Sequence, residues 1–218
     1  MNPFLATLTL ALLFAQDRYP AEDHAWLRFK VGATVTNKVV VEVGGNVIES
    51  KQKLTLKEKT GLDYVVEEVT IQNGQEQPGS LTRSSTGTFT KEETLKIAGK
   101  EYPCRISTAK GKRDESDTTT DYWMPKGNKY PLKVVYKQAD SEGEIVAVAL
   151  DEKMQVGTKE YSCAKLSGKV KFGPSEGVLT VWLTQEIPGA QARMELTLKN
   201  ASGDVKVTVT PIDFQDGK

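Results

Sequence analysis

The side chains with the strongest intrinsic reactivity in this chain are one histidine and two cysteines: His24, Cys104 and Cys163. A Ser-His-Asp or Cys-His mechanism would have to use this single imidazole. His24 follows Glu22 and Asp23 in a polar stretch with no cysteine or second histidine at ligand spacing. Histidine and cysteine therefore cannot supply a zinc site, although carboxylates leave an all-oxygen calcium site open. The sequence predicts no catalytic residue, no metal site and no cofactor, and we interpret His24 as a solvated side chain.

Paired carboxylates could in principle support glycoside hydrolysis, which needs two of them at a suitable separation. The adjacent pairs include Glu67-Glu68, Glu92-Glu93 and Asp151-Glu152. Neighbours on a strand point to opposite faces, and this suits solvation better than a shared catalytic task. No phosphate-binding glycine loop or dinucleotide fingerprint is present. The glycines are interpreted as turn residues. The primary prediction is that the protein is not an enzyme, and a carboxylate-based hydrolase is the less favoured alternative.

One segment of the chain occurs twice. Gly99-Lys100-Glu101-Tyr102-Pro103-Cys104 returns as Gly157-Thr158-Lys159-Glu160-Tyr161-Ser162-Cys163. The two cysteines are 59 positions apart, Trp123 and Trp182 are also 59 apart, and Gly143 and Gly203 are 60 apart. A constant offset through intervening loops indicates a duplicated supersecondary unit.

Aromatic residues follow the same repeat. A fainter echo relates Trp26 to Trp123 and Tyr64 to Tyr161, both at 97 positions. Exposed tryptophans could form a sugar-stacking platform, but repeats reuse their core residues and indoles bury a large area. We therefore predict that six aromatic residues are core anchors of the repeated units: Trp26, Trp123, Trp182, Tyr64, Tyr102 and Tyr161.

Cys104 and Cys163 occupy equivalent places in the repeat, which leaves two interpretations open. They could be buried thiols inherited from one ancestral unit, since unpaired cysteine is among the most buried residue types. They could instead form a disulfide, which an exported protein permits. A disulfide requires Cα atoms about 4.4–6.8 Å apart, so it demands that the two strands be close neighbours.

Alternation of apolar and polar residues dominates the chain beyond residue 15. A β-branched run over 33–43, then Gly44-Gly45 and a second extended run over 46–59, predict a hairpin. The stretch from Ser80 to Thr88 is rich in serine, threonine and glycine and predicts a loop or a frayed edge. We predict an all-β fold: a curved antiparallel sheet, or an open barrel or sandwich, with an internal repeat of about 60 residues and a helix only in the signal peptide.

The first fifteen residues contain no charged side chain and are mostly apolar. Their apolar run has the length of a signal-peptide core and falls short of the ~20 residues that a membrane-spanning helix needs. We predict a signal peptide over 1–15, cleavage after Ala15, and an exported protein that is periplasmic or extracellular. No membrane-spanning segment is predicted after cleavage.

The rest of the chain divides into a predicted β-rich domain over 16–153 and a repeated C-terminal half-unit over 154–218. A unit of four or five strands buries its apolar face poorly alone, so the half-unit should pack on the first domain. The chain carries 29 basic and 29 acidic side chains. This balance gives no electrostatic reason to expect nucleic acid as a partner.

Three pieces of the sequence carry a resemblance: Trp26-x-x-Phe29-x-x-Gly32, the Gly99-Lys100-x-Tyr102-x-Cys104 element, and the strand that holds Trp123. With these pieces the chain resembles a group of uncharacterised, small, secreted β-rich bacterial proteins of planctomycete-like genomes. It departs from that group at Ala33-Thr34, where an aromatic residue often follows the glycine, and in its additional C-terminal repeat. The group in turn looks distantly like periplasmic lipoprotein carriers of the LolA type, which implies a curved antiparallel sheet.

Two functional hypotheses follow. The first is an exported, non-catalytic binding module that holds an apolar ligand or a partner's segment, and it predicts an unfilled cavity. The alternative is a structural or protein-interaction protein of the cell envelope, which predicts a closed core and an exposed patch or strand edge. The less favoured hydrolase predicts two carboxylates in a cleft, one of them with a raised pKa.

Overall fold

The computed structural model describes residues 25–61, 63–85, 88–97, 99–113, 116–125, 130–200 and 203–217. His24 and the predicted signal peptide lie outside the described residues. The described chain contains fourteen strands and no helix. The strands are β1 (Thr34–Val43), β2 (Asn46–Thr60), β3 (Asp63–Gln72), β4 (Gln75–Glu76), β5 (Ser80–Ser85), β6 (Thr88–Ile97), β7 (Lys100–Arg113), β8 (Ser116–Pro125), β9 (Lys133–Gln138), β10 (Ser141–Val156), β11 (Lys159–Phe172), β12 (Ser175–Leu183), β13 (Gln191–Asn200) and β14 (Gly203–Gln215).

The strands form where side chains alternate between a buried and a solvated face. In β1 the buried residues Val35, Asn37 and Val39 alternate with half-buried ones, which is the period of a strand with one face in the core. Gly44 and Gly45 join β1 to β2 with φ of 56° and 80°. Glycine takes these left-handed conformations without a Cβ penalty, so the predicted hairpin forms at this dipeptide.

Twelve strands pair into one closed antiparallel barrel. The pairing runs β2-β1-β14-β13-β12-β11-β10-β9-β8-β7-β5-β3, and β3 returns to β2. Strand β4 only extends the end of β3, and β6 pairs with β7 beside the ring. The all-β class is confirmed, but the open or merely curved arrangement is wrong, because closure leaves no free edge within the ring.

Strand β5 closes the ring. It was not predicted from the sequence. The predicted loop or frayed edge over 80–88 is wrong for Ser80–Ser85, which pairs along its length with β3 and, over Thr82 to Ser84, with β7. Its polar composition hides it from a search for apolar alternation. A strand held between two neighbours forms its backbone hydrogen bonds on both sides, and these do not depend on apolar side chains.

The core consists of two hydrophobic clusters. The larger one joins buried side chains of β7 to β14 with Val39 of β1, and most of them lie on the inward face of that part of the barrel. The smaller one gathers around Trp26 and Phe29, before β1, and includes Tyr161 and Trp182. Cys163 and Ala164 are both fully buried neighbours in β11 but belong to different clusters. Neighbouring strand residues point to opposite faces, so β11 is covered on both sides.

Equivalent residues of the predicted repeat have equivalent strand partners. Tyr102 faces Leu95 and Tyr161 faces Met154, and Trp123 faces Ile106 whereas Trp182 faces Lys165. A duplication would leave this correspondence, and the duplication itself stays a prediction. Trp26 lies in a turn rather than in a strand, so it has no such equivalent pairing. The predicted domain boundary after residue 153 falls inside β10, and the division into domains also stays a prediction.

Candidate interaction surface

A groove of about 930 Å³ runs across the outer wall of the barrel over β9 to β13. The groove is lined mainly by outward-facing residues, whose neighbours along each strand point into the core. Val178, which is 50% exposed, and the partly buried Val135 give the groove apolar surface, and the remaining outward side chains are mostly lysine and glutamate. We call this region the outer groove.

Strand register lines up six exposed charged residues in one row across this wall. Each residue faces the next directly across a strand pair, and the signs alternate. We call this row the charge ladder; its members, in order from β9 to β14, are Lys137, Glu142, Lys171, Glu176, Lys199 and Asp204. Among the described residues no ion pair joins any two of them, so their charges face solvent.

A glycine within β10 shapes the wall beneath the groove. The sequence places Gly143 in a turn, but it lies inside β10 opposite Tyr136. A Cβ added at Gly143 would collide with the Tyr136 ring and lie 2.8 Å from a methyl group of Val170. Tyr136 also stacks on Phe172 with ring centroids 6.3 Å apart. The ring therefore packs over the bare backbone, a known way of covering a glycine in a sheet.

The Tyr136 phenol is a structural group. Burial raises its pKa well above the ordinary value, and the negative charge of Glu142 adds to that shift. The hydroxyl oxygen lies 3.5 Å from the carbonyl oxygen of Lys171. A phenol that stays protonated cannot act as a base near neutral pH.

A second polar cluster surrounds Trp182. Its indole nitrogen donates to Oε1 of Glu152 at 2.8 Å, and the Lys165 ammonium lies 3.3 Å from the other carboxylate oxygen. The Lys165 nitrogen also lies 4.8 Å from the centre of a Trp182 ring, and Arg193 covers the same side chain. The hydrogen bond from Trp182 holds the pKa of Glu152 below its ordinary value, with Lys165 contributing to the same direction. Such a carboxylate stays ionised and is unsuited to act as a general acid.

The two cysteines are free and buried. Burial raises the pKa of the Cys163 thiol to about 11, and the Glu152 and Glu186 charges act in the same direction. Burial also raises the pKa of Cys104. Strands β8, β9 and β10 lie between β7 and β11 in the ring, so the condition of neighbouring strands for a disulfide is not met.

The predicted aromatic anchors are distributed over both clusters. Trp26, Tyr64, Tyr161 and Trp182 lie in the smaller cluster and Trp123 in the larger one, all of them buried, while Tyr102 is half-buried against the larger cluster. No one of the three indoles presents a free face for a sugar ring, since Trp26 is fully buried and Lys133 and Lys165 lie over the other two. The anchoring role in a repeat stays a prediction.

A buried polar cluster on the inward face was missed by the sequence reading. Asn37 and Gln52 face each other across β1 and β2, and the Gln52 amide donates to Glu68 Oε1 at 2.6 Å. All three side chains are buried. The available signal was position: Gln52 shares the strand face of Leu54 and Leu56, so alternation alone places it inside.

No metal site or membrane-crossing helix is found in the part of the chain that the structure describes. Within it, no group of three or more histidine, cysteine or carboxylate side chains is arranged to hold a metal ion. No helix among the same residues is long and apolar enough to span a bilayer.

Comparison with known proteins identifies no family. No protein-family model matches the chain, and no curated protein matches it in sequence. A Bacteroides fragilis protein described as having a YmcC-like fold is 11% identical, with 86% of this chain and 97% of that chain covered and a TM-score of 0.43. MucB in complex with MucA(peri) is 10% identical over 96% of this chain and 93% of that chain, with a TM-score of 0.20. A Pseudomonas aeruginosa MucA/MucB complex is 10% identical over 92% of each chain, with a TM-score of 0.19. None of these scores establishes a shared fold, and the motif-based resemblance stays a prediction.

Proposed function

We propose that the protein is an exported, non-catalytic interaction module of the cell envelope, which binds a partner protein through the outer wall of its barrel. Export rests on the uncharged apolar stretch at the start of the sequence. The interaction role rests on the closed barrel, whose inward face over β7 to β14 is occupied by packed side chains. The outer groove is a concave surface on the outside of this barrel that a partner could occupy.

The outer groove combines a small apolar surface with a regular pattern of alternating charges. Its carboxylates alternate with lysines, so each has opposite charges beside it. Alternating charges around Val178 and Val135 give electrostatic selectivity around an apolar contact, which is how proteins choose partners.

A specific observation keeps a second candidate function in view, the binding of an apolar ligand at one end of the barrel. Ile48 faces Val41 across β1 and β2, and Val41 faces Val207 across β1 and β14, so all three share the inward face. Val207 is buried whereas Ile48 is 43% exposed. An apolar side chain that faces inward and is still exposed marks the open end of the barrel, where an apolar group could insert.

Site-specific photocrosslinking in an exporting bacterial host separates these functions. A photoreactive residue at Val178, inside the outer groove, is compared with one at Ile212, which is 47% exposed and does not line it. We expect a discrete crosslinked protein product from position 178, weakened by reversal of Lys171, and none from position 212. Equal products from both positions, or none from either, would overturn the proposal. A co-purified apolar adduct in native mass spectrometry that depends on Ile48 would favour ligand binding instead.

A further inference from the structure

We propose that the partner at the outer groove is a second copy of this chain, docked face to face about a two-fold axis that runs parallel to β11 and β12 and between them. This inference rests on the proposed function, because it names the partner of the same surface. The charge ladder carries it.

The charge ladder is its own electrostatic complement. It has an even number of members with alternating signs, three on either side of the boundary between β11 and β12. A two-fold axis along that boundary reverses the order of the row in the second copy. Lys171 then meets Glu176 of the partner subunit, and Glu142 lies on the side of Lys199 of the partner subunit. The curvature of the closed ring turns the outermost members, Lys137 and Asp204, away from the contact.

The rows below the ladder allow the same axis. In the next outward row, reversal places Lys169 against Val178 and Glu144 against Thr197, so no like charges meet. One row further, Ser167 meets Thr180 and Val146 meets Glu195, again without like charges. With an axis perpendicular to the strands, each strand would instead face the same strand of the second copy. A lysine of the ladder would then face a lysine. Like charges facing each other disfavour such a complex, so the ladder favours an axis parallel to the strands.

The charges of the ladder are available for this contact. Cross-strand pairs of opposite charge stabilise a sheet within one chain, which alone could account for alternation. Here, however, the pairs stand in register without closing into ion pairs among the described residues. A second copy would supply the missing partners, while Val178 and Val135 provide apolar area beneath them. An association that depends on such solvent-exposed charges weakens as added salt screens them.

Charge reversal with rescue tests the inference on the mature full-length protein by analytical ultracentrifugation. At an ionic strength of about 20 mM we expect a dimer that dissociates as salt rises. Lys171→Glu and Glu176→Lys each create two symmetry-related like-charge contacts, and we expect each to weaken the dimer at least about tenfold. The double variant K171E/E176K reverses both facing partners together and should restore most of the dimer. Lys96→Glu, an exposed reversal on β6 away from the groove, serves as the control and should leave the dimer unchanged.

Three outcomes would overturn the inference. The first is a wild-type protein that stays monomeric at about 100 µM and low salt, since contacts of this size should associate in that range. The second is a pair of single variants that dimerise as well as the wild type while their thermal unfolding is unchanged. The third is a double variant weaker than either single one. A crosslink from position 178 to a different protein would leave the proposed function standing and reject the second copy as the partner.

Discussion

The indole nitrogen of Trp182 donates to Glu152 at 2.8 Å, and no such bond exists for Trp123, which stands 59 positions earlier in the repeated segment. Glu93 faces Cys104 just as Glu152 faces Cys163, so a carboxylate is present in both places. Nevertheless, the Trp123 nitrogen is buried without a hydrogen-bond partner among the described residues, and Glu93 pairs with Lys91 instead. The two equivalent tryptophans therefore differ, because a hydrogen bond to a carboxylate stabilises Trp182 and not Trp123.

Replacement of Glu152 should test this difference directly. Glu152→Ala leaves the Trp182 nitrogen buried without its acceptor, and a buried unsatisfied donor costs about 1–3 kcal/mol. Glu152→Gln keeps an oxygen acceptor and should lose less. The measurement is the free energy of unfolding in urea.

Glu93→Ala is the matched control, because its carboxylate makes no bond to Trp123 in the structure. We expect its unfolding free energy to stay within about 0.5 kcal/mol of the wild type. A loss at Glu93 as large as that at Glu152 would contradict the assigned hydrogen bond.

The stabilisation by Glu152 should depend on pH. Its folded-state pKa lies below the unfolded value, chiefly because Trp182 donates to the charged form. A group with a lowered folded pKa contributes stability that is present above the unfolded pKa and is lost as pH falls through the folded pKa. The difference in unfolding free energy between wild type and Glu152→Gln should therefore shrink between about pH 7 and about pH 3. A difference that is constant over this range would show that charge plays no part.

The thiols should be slow to react in the folded protein and free once it unfolds. Both are buried, and the pKa of Cys163 is raised to about 11, so little thiolate exists near neutral pH. We expect two thiols per chain to be titrated by a disulfide reagent in denaturant without reductant, and far slower reaction in buffer. A mass lower by about two hydrogens in the oxidised protein would instead reveal a bond and require β7 and β11 to be neighbours.

Gly143→Ala should destabilise the barrel by about 1–3 kcal/mol, because the new methyl group collides with the Tyr136 ring. Tyr136→Ala removes that ring and should also destabilise through the cavity it leaves. The double variant should lose less than the sum of the two single changes, since the collision with the ring is removed and only the close contact with Val170 remains. Strict additivity in urea unfolding would mean that the ring does not cover Gly143.

Amide hydrogen exchange should locate the closure of the ring. Strand β5 has a neighbour on both sides over 82–84, whereas β6 pairs only with β7 among the described strands. We therefore expect amide hydrogens of 82–84 to exchange more slowly than those of β6. Exchange in β5 as fast as in a terminal segment would indicate an open sheet.

Sequence alone predicted the strands that carry apolar alternation and missed what depends on register. The runs over β1 and β2 are readable because Val35, Leu54 and Leu56 alternate with polar residues around a Gly-Gly turn. Closure was not readable, since β5 is polar and only its backbone joins β3 to β7. The charge ladder was equally hidden. Lys137 and Asp204 are far apart in the chain and fall in one row only after five consecutive strand pairings fix their register.

The pairing of β1 with β14 also governs how this chain can fold. Thr34 faces Gln215, so one side of β1 and one side of β14 stay unpaired until these two strands meet. Contacts of such long sequence separation form slowly, because the entropy of closing the loop is lost before the contact forms. A chain that emerges from its amino end first cannot close the ring until its final strand is free. Ring closure is therefore a late step of folding, which follows the release of β14 whether the chain leaves a ribosome or, as proposed above, a translocation channel.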